Sequence, residues 1–310
     1  MLTGQASAPA ERRRARVADD QRALRGERGR AIRAMKCLHL VTREGSTATG
    51  TDDQSGASGS WITTWTALSI AVRCSVSSAA VALTLTCAIA HAQGPVDVPS
   101  ADGRLVHAAW QPSGKVERWI VSLHGTEGSA KTDLGIWQRF VAARGIGVLS
   151  IQWWLGKGDD YLPPLAIYRE IDVAAQKLGI APGSAMLHGF SRGSANLYAV
   201  AAIDAGRGRK LFSVFVANAG GVSTDYPPNR AIAEGRIGSR PLAGTRWITV
   251  RGERDPHPDR AGCPGMRRTG AWLKEQGAEL VAAIEDPQSG HGALHLNPGN
   301  TERVLDLFAR

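Results

Sequence analysis

The chain has 310 residues, 43% of them hydrophobic and 21% charged, with a formal net charge of +9. These proportions exclude a disordered polar chain, a collagen-like chain and a polytopic membrane protein. The basic surplus is thin: residues 1–92 hold 12 Lys and Arg against 7 Asp and Glu, and residues 93–310 hold 25 against 21.

No basic stripe interleaves with aromatic residues, so nucleic acid is not expected as a partner. The four cysteines stand at positions 37, 74, 87 and 263 without a C-x-x-C pair. That spacing argues against a structural zinc site and against a disulfide framework.

Residues 1–60 read as a basic leader, disordered by composition. Arg12, Arg13, Arg14 and Arg16 cluster there, and residues 44–60 are mostly Gly, Ser, Thr and Asp. Few apolar side chains offer a face to bury. Residues 61–92 form a signal-peptide region. Residues 74–92 carry no Asp, Glu, Lys or Arg, Arg73 stands just before them, and Ala90-His91-Ala92 precedes Gln93. A positive residue, an apolar run and a small-residue site in that order predict export, cleavage after Ala92 and a periplasmic or secreted product. A transmembrane anchor is the rival, because about 18 uncharged residues can span a bilayer. The Ser and Thr content speaks against it, so no stable membrane association is expected after cleavage. Translation from Val72 would account for the long stretch upstream. Cleavage would leave Cys263 as the only cysteine, as suits an exported chain without an intramolecular disulfide.

From residue 93 onward, apolar runs alternate with helical spacing. Strands are expected at 119–123 (WIVSL), 147–153, 185–188, 212–217, 246–250 and 279–284. Helices are expected around 136–144, 168–178, 194–205, 269–276 and 301–310. Such alternation predicts an α/β fold, a mostly parallel sheet of six or seven strands with helices on both faces. Ligands then bind at the C-terminal strand edge. Residues 221–244 show no clear pattern and are expected to form a short lid or pocket wall.

The strongest chemical signal is Gly189-Phe190-Ser191-Arg192-Gly193 between an expected strand and an expected helix. A sharp strand-to-helix turn forbids side chains beside the serine, and glycines stand where they are needed. The Arg192 N–H then faces the position of a developing oxyanion at the positive end of the helix dipole. A serine hydroxyl needs a base and an orienting carboxylate. Asp255 follows the 246–250 strand, with Glu253 and Asp259 as alternatives. His291 lies between glycines after the 279–284 strand, with His295 as the competing base. His124-Gly125-Thr126-Glu127-Gly128 follows WIVSL; the N–H of Thr126, or of Glu127, is the second oxyanion donor expected. His124 itself is read as a loop-stabilising partner and His188 as a core histidine. Of Trp153 and Trp154, one is expected to pack inside and the other under a neighbouring loop. Facing the cleft is the alternative. Arg192 could pair with an acidic substrate group.

Together these features resemble the α/β-hydrolase superfamily of serine esterases and lipases over about residues 105–310. More loosely, they resemble small exported esterases of the polyhydroxybutyrate-depolymerase and feruloyl-esterase kinds. The resemblance implies that residues 93–310 form a catalytic domain hydrolysing carboxylic esters of a small-molecule or polymeric substrate. By the resemblance, Ser191 attacks, His291 carries the proton, Asp255 orients the imidazole, and the N–H groups of Arg192 and Thr126 bind the oxyanion. No metal or cofactor is implied. A serine peptidase or amidase on the same fold, and a non-catalytic binding protein, are the competing classes.

Overall fold

Runs rich in Val, Ile, Leu and Trp form strands, and the stretches of helical spacing between them form helices. The computed structural model describes residues 94–310. The expected leader, signal-peptide region and cleavage site after Ala92 lie outside the described residues, as do Cys37, Cys74 and Cys87.

The strands are β1 (Val96–Pro99), β2 (Val106–Trp110), β3 (Arg118–Leu123), β4 (Ile146–Ile151), β5 (Ala185–Phe190), β6 (Phe212–Asn218), β7 (Arg246–Gly252) and β8 (Glu279–Asp286). The helices are α1 (Ala130–Val141), α2 (Pro164–Lys177), α3 (Arg192–Ala205), α4 (Pro227–Ala233), α5 (Cys263–Glu275), α6 (Ala293–Leu296) and α7 (Pro298–Ala309). The eight strands form one sheet in the order β1-β2-β4-β3-β5-β6-β7-β8. Strands β3 to β8 run parallel, while β2 pairs antiparallel with both β1 and β4.

The parallel strands β3 to β7 are buried on both faces, which is why their sequences read as unbroken apolar runs, whereas the edge strand β8 is only partly buried. All six residues of β4 are buried. One core packs α2, α3 and α5 on the sheet through Ile171, Tyr198, Phe215, Trp247 and Leu273. The other packs α1 and α7 through Trp137, Ile120, Val216, Ile248 and Leu305.

Three expectations need correction. The strand count is eight rather than six or seven: the antiparallel pair β1 and β2 is short, and VDVP and VHAAW carry no strong periodic signal. Pro99 is tolerated because β1 is an edge strand. Residues 221–244 are not patternless, since Pro227 and Pro228 open α4, where their missing N–H groups cost nothing. Most helices also start earlier than their apolar spacing suggests. Helix α1 begins at Ala130 because Ser129 caps it, accepting the Thr132 N–H. Among the described residues no helix is long and apolar enough to cross a membrane.

Candidate active site

The parallel strands bring four loops to one edge of the sheet. Ser191 stands between β5 and α3, with a left-handed backbone (φ 54°, ψ −114°) that a non-glycine residue adopts only under constraint. The constraint is steric and visible in the glycines. A β-carbon on Gly193 would collide with the Leu123 carbonyl oxygen and lie 2.7 Å from that of His124. One on Gly189 would lie 2.6 Å from the Gly193 oxygen. The Ser191 N–H donates to the Asn218 oxygen (2.9 Å), tying the turn to β6. Residue 191 can take this turn only with glycine at 189 and 193.

Three described non-glycine residues have positive φ: Glu127 (51°), Ser191 (54°) and Ala219 (49°). All three lie around the same turn. Ala219 follows β6, and the next residue, Gly220, has no room for a β-carbon beside the Ser191 carbonyl.

The loops after β7 and β8 bring Asp255 and His291 together. His291 Nδ1 lies 2.7 Å from Asp255 Oδ2, with the aspartate side chain 0% exposed and the histidine 30%. The other Asp255 oxygen accepts the His257 N–H at 2.8 Å. Burial pushes the Asp255 carboxyl upward. The His291 hydrogen bond and charge and the His257 N–H more than offset this, holding it below the ordinary carboxylate range. An ionised carboxylate only accepts, so the pairing fixes the Nδ1–H tautomer and leaves Nε2 as the basic nitrogen. His291 also packs on Phe190, the residue before Ser191, with ring centroids 5.1 Å apart. No hydrogen bond joins Ser191 Oγ to His291 among the described residues. Such contacts commonly close only when substrate binds.

Asp286, at the end of β8, organises the histidine loop. Its carboxylate accepts from the Gln288 and Ser289 N–H groups, the Ser289 hydroxyl, Asn297 Nδ2 and Asn300 Nδ2 at 2.7–3.1 Å. Burial opposes its charge, but these donors hold its pKa down to about 2. The Glu253 and Arg254 N–H groups donate to the Asp286 and Ser289 oxygens, so the acid and histidine loops are knitted together.

The loop after β3 lies against the serine. A β-carbon on Gly125 would sit 3.0 Å from Phe190 Cδ1 and 3.5 Å from Ser191 Cβ. The Glu127 N–H donates to the Tyr161 hydroxyl at 2.8 Å, whereas the Thr126 N–H has no partner among the described residues. The Arg192 N–H begins α3 and has no intrahelical acceptor. His124 braces this loop. Its Nδ1 contacts the Gly125 oxygen (2.9 Å) and its ring stacks on Trp153, centroids 5.5 Å apart. Burial lowers its pKa to about 4, against the opposing Gly125 carbonyl. Trp153 is fully buried and donates its indole N–H to the His124 oxygen (3.2 Å). Trp154 is half-buried and donates to Gly158 O (3.0 Å) within its own loop rather than under a neighbouring one.

The alternatives stand elsewhere. Asp259 is exposed beside Arg268, and Glu253 is exposed. Both ring nitrogens of His295 are buried without a partner, its ring set edge-on to Trp137 and His188. His188 Nδ1 hydrogen-bonds Ser122 Oγ (2.9 Å), which also accepts the Trp137 indole N–H (3.1 Å). Ser122, His188 and the nearby Asp133 are all buried in the second core. Sequence reasoning missed Tyr161 and Asp286. Tyr161 meets the loop from 34 residues away, with no local signal. Asp286, before Pro287, Gln288 and Ser289, has the spacing of an Asx turn.

The sequence matches no family model and no curated protein. Solved structures do match. A truncated carbohydrate esterase from gut microbiota superposes with TM-score 0.53 at 15% identity, over 72% of this chain and 97% of that one. A carboxylesterase from Mesorhizobium loti gives 0.52 at 17%, over 69% and 98%. An esterase from Pyrobaculum calidifontis gives 0.50 at 19%, over 70% and 83%. The chain has the α/β-hydrolase fold. Ser191 occupies the strand-to-helix turn after β5 that in this fold can carry a nucleophile elbow, and Asp255 and His291 occupy the loops after β7 and β8.

Proposed function

We propose that the protein is a serine hydrolase that cleaves carboxylic esters through an acyl-enzyme on Ser191. The observation that carries the reading is the His291–Asp255 pair at 2.7 Å, its carboxylate wholly buried, beside a strained, glycine-flanked serine. His291 Nε2 takes the Ser191 proton as Oγ attacks the ester carbonyl. Asp255 holds the Nδ1–H tautomer and stabilises the imidazolium. The N–H groups of Thr126 and Arg192 receive the oxyanion, and each such donor contributes about 3 kcal/mol to the transition state. His291 then protonates the leaving alcohol. Water, deprotonated by the same nitrogen, releases the acid and restores Ser191. Esterases among the structures of like fold support the reading, as does the free Thr126 N–H.

Fluorophosphonate labelling of residues 93–310, followed by peptide mapping, tests it. Labelling at Ser191, with nitrophenyl acetate and butyrate hydrolysed by the parent and not by Ser191→Ala, is the expected result. Absence of both labelling and hydrolysis would favour a binding protein. Hydrolysis of anilides at rates matching the esters would favour an amidase.

We also infer that the chain is exported, on the strength of Arg73, the uncharged run and Ala90-His91-Ala92. N-terminal sequencing of the periplasmic or secreted product should begin at Gln93. A product retaining residues before 72 would overturn this.

A further inference from the structure

The residue after the nucleophile carries a full positive charge that the mechanism does not use. The Cα of Arg192 lies one peptide, about 3.8 Å, from that of Ser191. Its guanidinium stacks on Tyr161, 4.4 Å from the ring centroid. Tyr161 is in turn fixed by the Glu127 N–H and by Trp153, whose ring centroid is 4.7 Å away. The cation is therefore held in place before any ligand arrives.

Its donors are largely uncommitted. Nη2 pairs with Asp159 at 3.0 Å, but Asp159 is 88% exposed and the Arg192 side chain 36%. An ion pair that open to water contributes little. Nε and Nη1 have no partner among the described residues. Tyr226, near the start of α4, donates its hydroxyl to Asn196 Oδ1 of α3 at 2.5 Å. The Arg192 charge reaches it, easing the upward push that burial gives the phenol. A cation with free, planar donors thus stands on the Tyr161 ring beside the Ser191 turn. A guanidinium fork with unused donors matches a carboxylate in geometry as well as charge.

We propose that Arg192 is the recognition element for a carboxylate on the substrate, and that the preferred esters are anionic ones bearing a carboxylate close to the scissile bond. This rests on Ser191 as nucleophile. In the bound state the substrate carboxylate takes the Nε and Nη donors, and Asp159 moves aside into solvent. Asp159 is a competitor for the same cation, so removing it sharpens the preference.

The experiment compares two esters of similar acyl length, the mono-nitrophenyl ester of adipic acid and nitrophenyl hexanoate, each corrected for spontaneous hydrolysis. The readout is the ratio of their kcat/KM values within each variant, which cancels any general damage to the elbow. The ratio should exceed about ten in the parent and fall about tenfold in Arg192→Met, which keeps the apolar stem and the backbone N–H. It should rise about twofold in Asp159→Asn and fall as salt is raised. Hydrolysis that depends on Ser191 with ratios the same in parent and Arg192→Met would overturn the proposal and leave the serine-hydrolase reading standing. A second measurement does not need turnover. Calorimetry of monoethyl adipate on Ser191→Ala should give a Kd about tenfold tighter than on the Ser191→Ala, Arg192→Met double variant. Equal affinities would overturn the proposal even if neither ester is hydrolysed.

Discussion

The molecule contains two sets of serine, histidine and aspartate, and they touch neighbouring stretches of β5. Ser122, His188 and Asp133 lie inside the second core, all buried. Ser191, Asp255 and His291 lie at the strand edge, where only the carboxylate is fully covered. The inner set is satisfied by its own neighbours: Ser150 donates to Asp133 (2.9 Å), and Trp137 donates to Ser122. Burial raises the Asp133 carboxyl to about 6 against the Ser122 and Ser150 hydrogen bonds, and it lowers His188 well below the ordinary histidine range. Both groups are shut off from solvent. The outer set has the opposite character: an ionised acid, a half-open imidazole and a strained hydroxyl. Residue identity does not separate the two sets; exposure, backbone strain and hydrogen-bond satisfaction do.

Substitutions can break this contrast, beginning with the largest effect. Ser191→Ala should lower kcat for nitrophenyl butyrate by about 10⁵-fold or more. Ser122→Ala should leave kcat near the parent value and cost about 2 kcal/mol of stability in urea unfolding, through Trp137 and His188 left unsatisfied. A large kcat loss in Ser122→Ala would dissolve the distinction. Asp255→Asn should lower kcat by about 10⁴-fold by favouring the wrong histidine tautomer, with KM little changed. Asp286→Ala removes the acceptor of five hydrogen bonds, and unfolding should show a loss of about 3 kcal/mol. Tyr161→Phe removes the acceptor of the Glu127 N–H; kcat should fall about tenfold while KM holds, and a loss confined to KM would refute the bracing role.

The smallest test concerns protons. His107, His124, His188 and His295 are all held below their ordinary pKa, the last at about 3, and burial is the leading cause for each. As pH falls from 6.5 toward 4 the unfolded chain takes up protons at these histidines more readily than the folded one, so stability falls as pH falls. Asp133 and Asp204 are raised by burial and act in the opposite direction over the lower part of that range. The net uptake on unfolding is on the order of two protons. Calorimetric Tm should drop steadily from pH 6.5 to 4. Asp286 adds a further loss below about 4, as its depressed carboxyl takes up a proton.

The parallel strands and the elbow were legible because each depends on local sequence. WIVSL, RWITV and G-F-S-R-G specify their conformation within a few residues. The antiparallel pair β1 and β2 was not legible, because four- and five-residue strands with an edge proline gain their order from pairing with β4. Asp255 and His291 were readable from their place after strands, although their 36-residue separation hides the contact. Tyr161 was invisible for a sharper reason. Its ring lies on one loop and the groups it steadies lie on two others, so only the closed fold creates its role. Asp286 had a local signature, but an Asx turn alone does not announce five donors from three segments.

The left-handed residues at 127, 191 and 219 carry one more consequence. Each holds a side chain where glycine would be relaxed, so the native state stores conformational strain around the Ser191 turn. Ala219→Gly would release strain at that position without touching a reacting atom, and Ser191→Gly would do so while abolishing nucleophilic chemistry. In thermal endurance, the surroundings of the Ser191 turn are a place where the protein stops short of its own optimum, and a search for more heat-resistant variants can begin there.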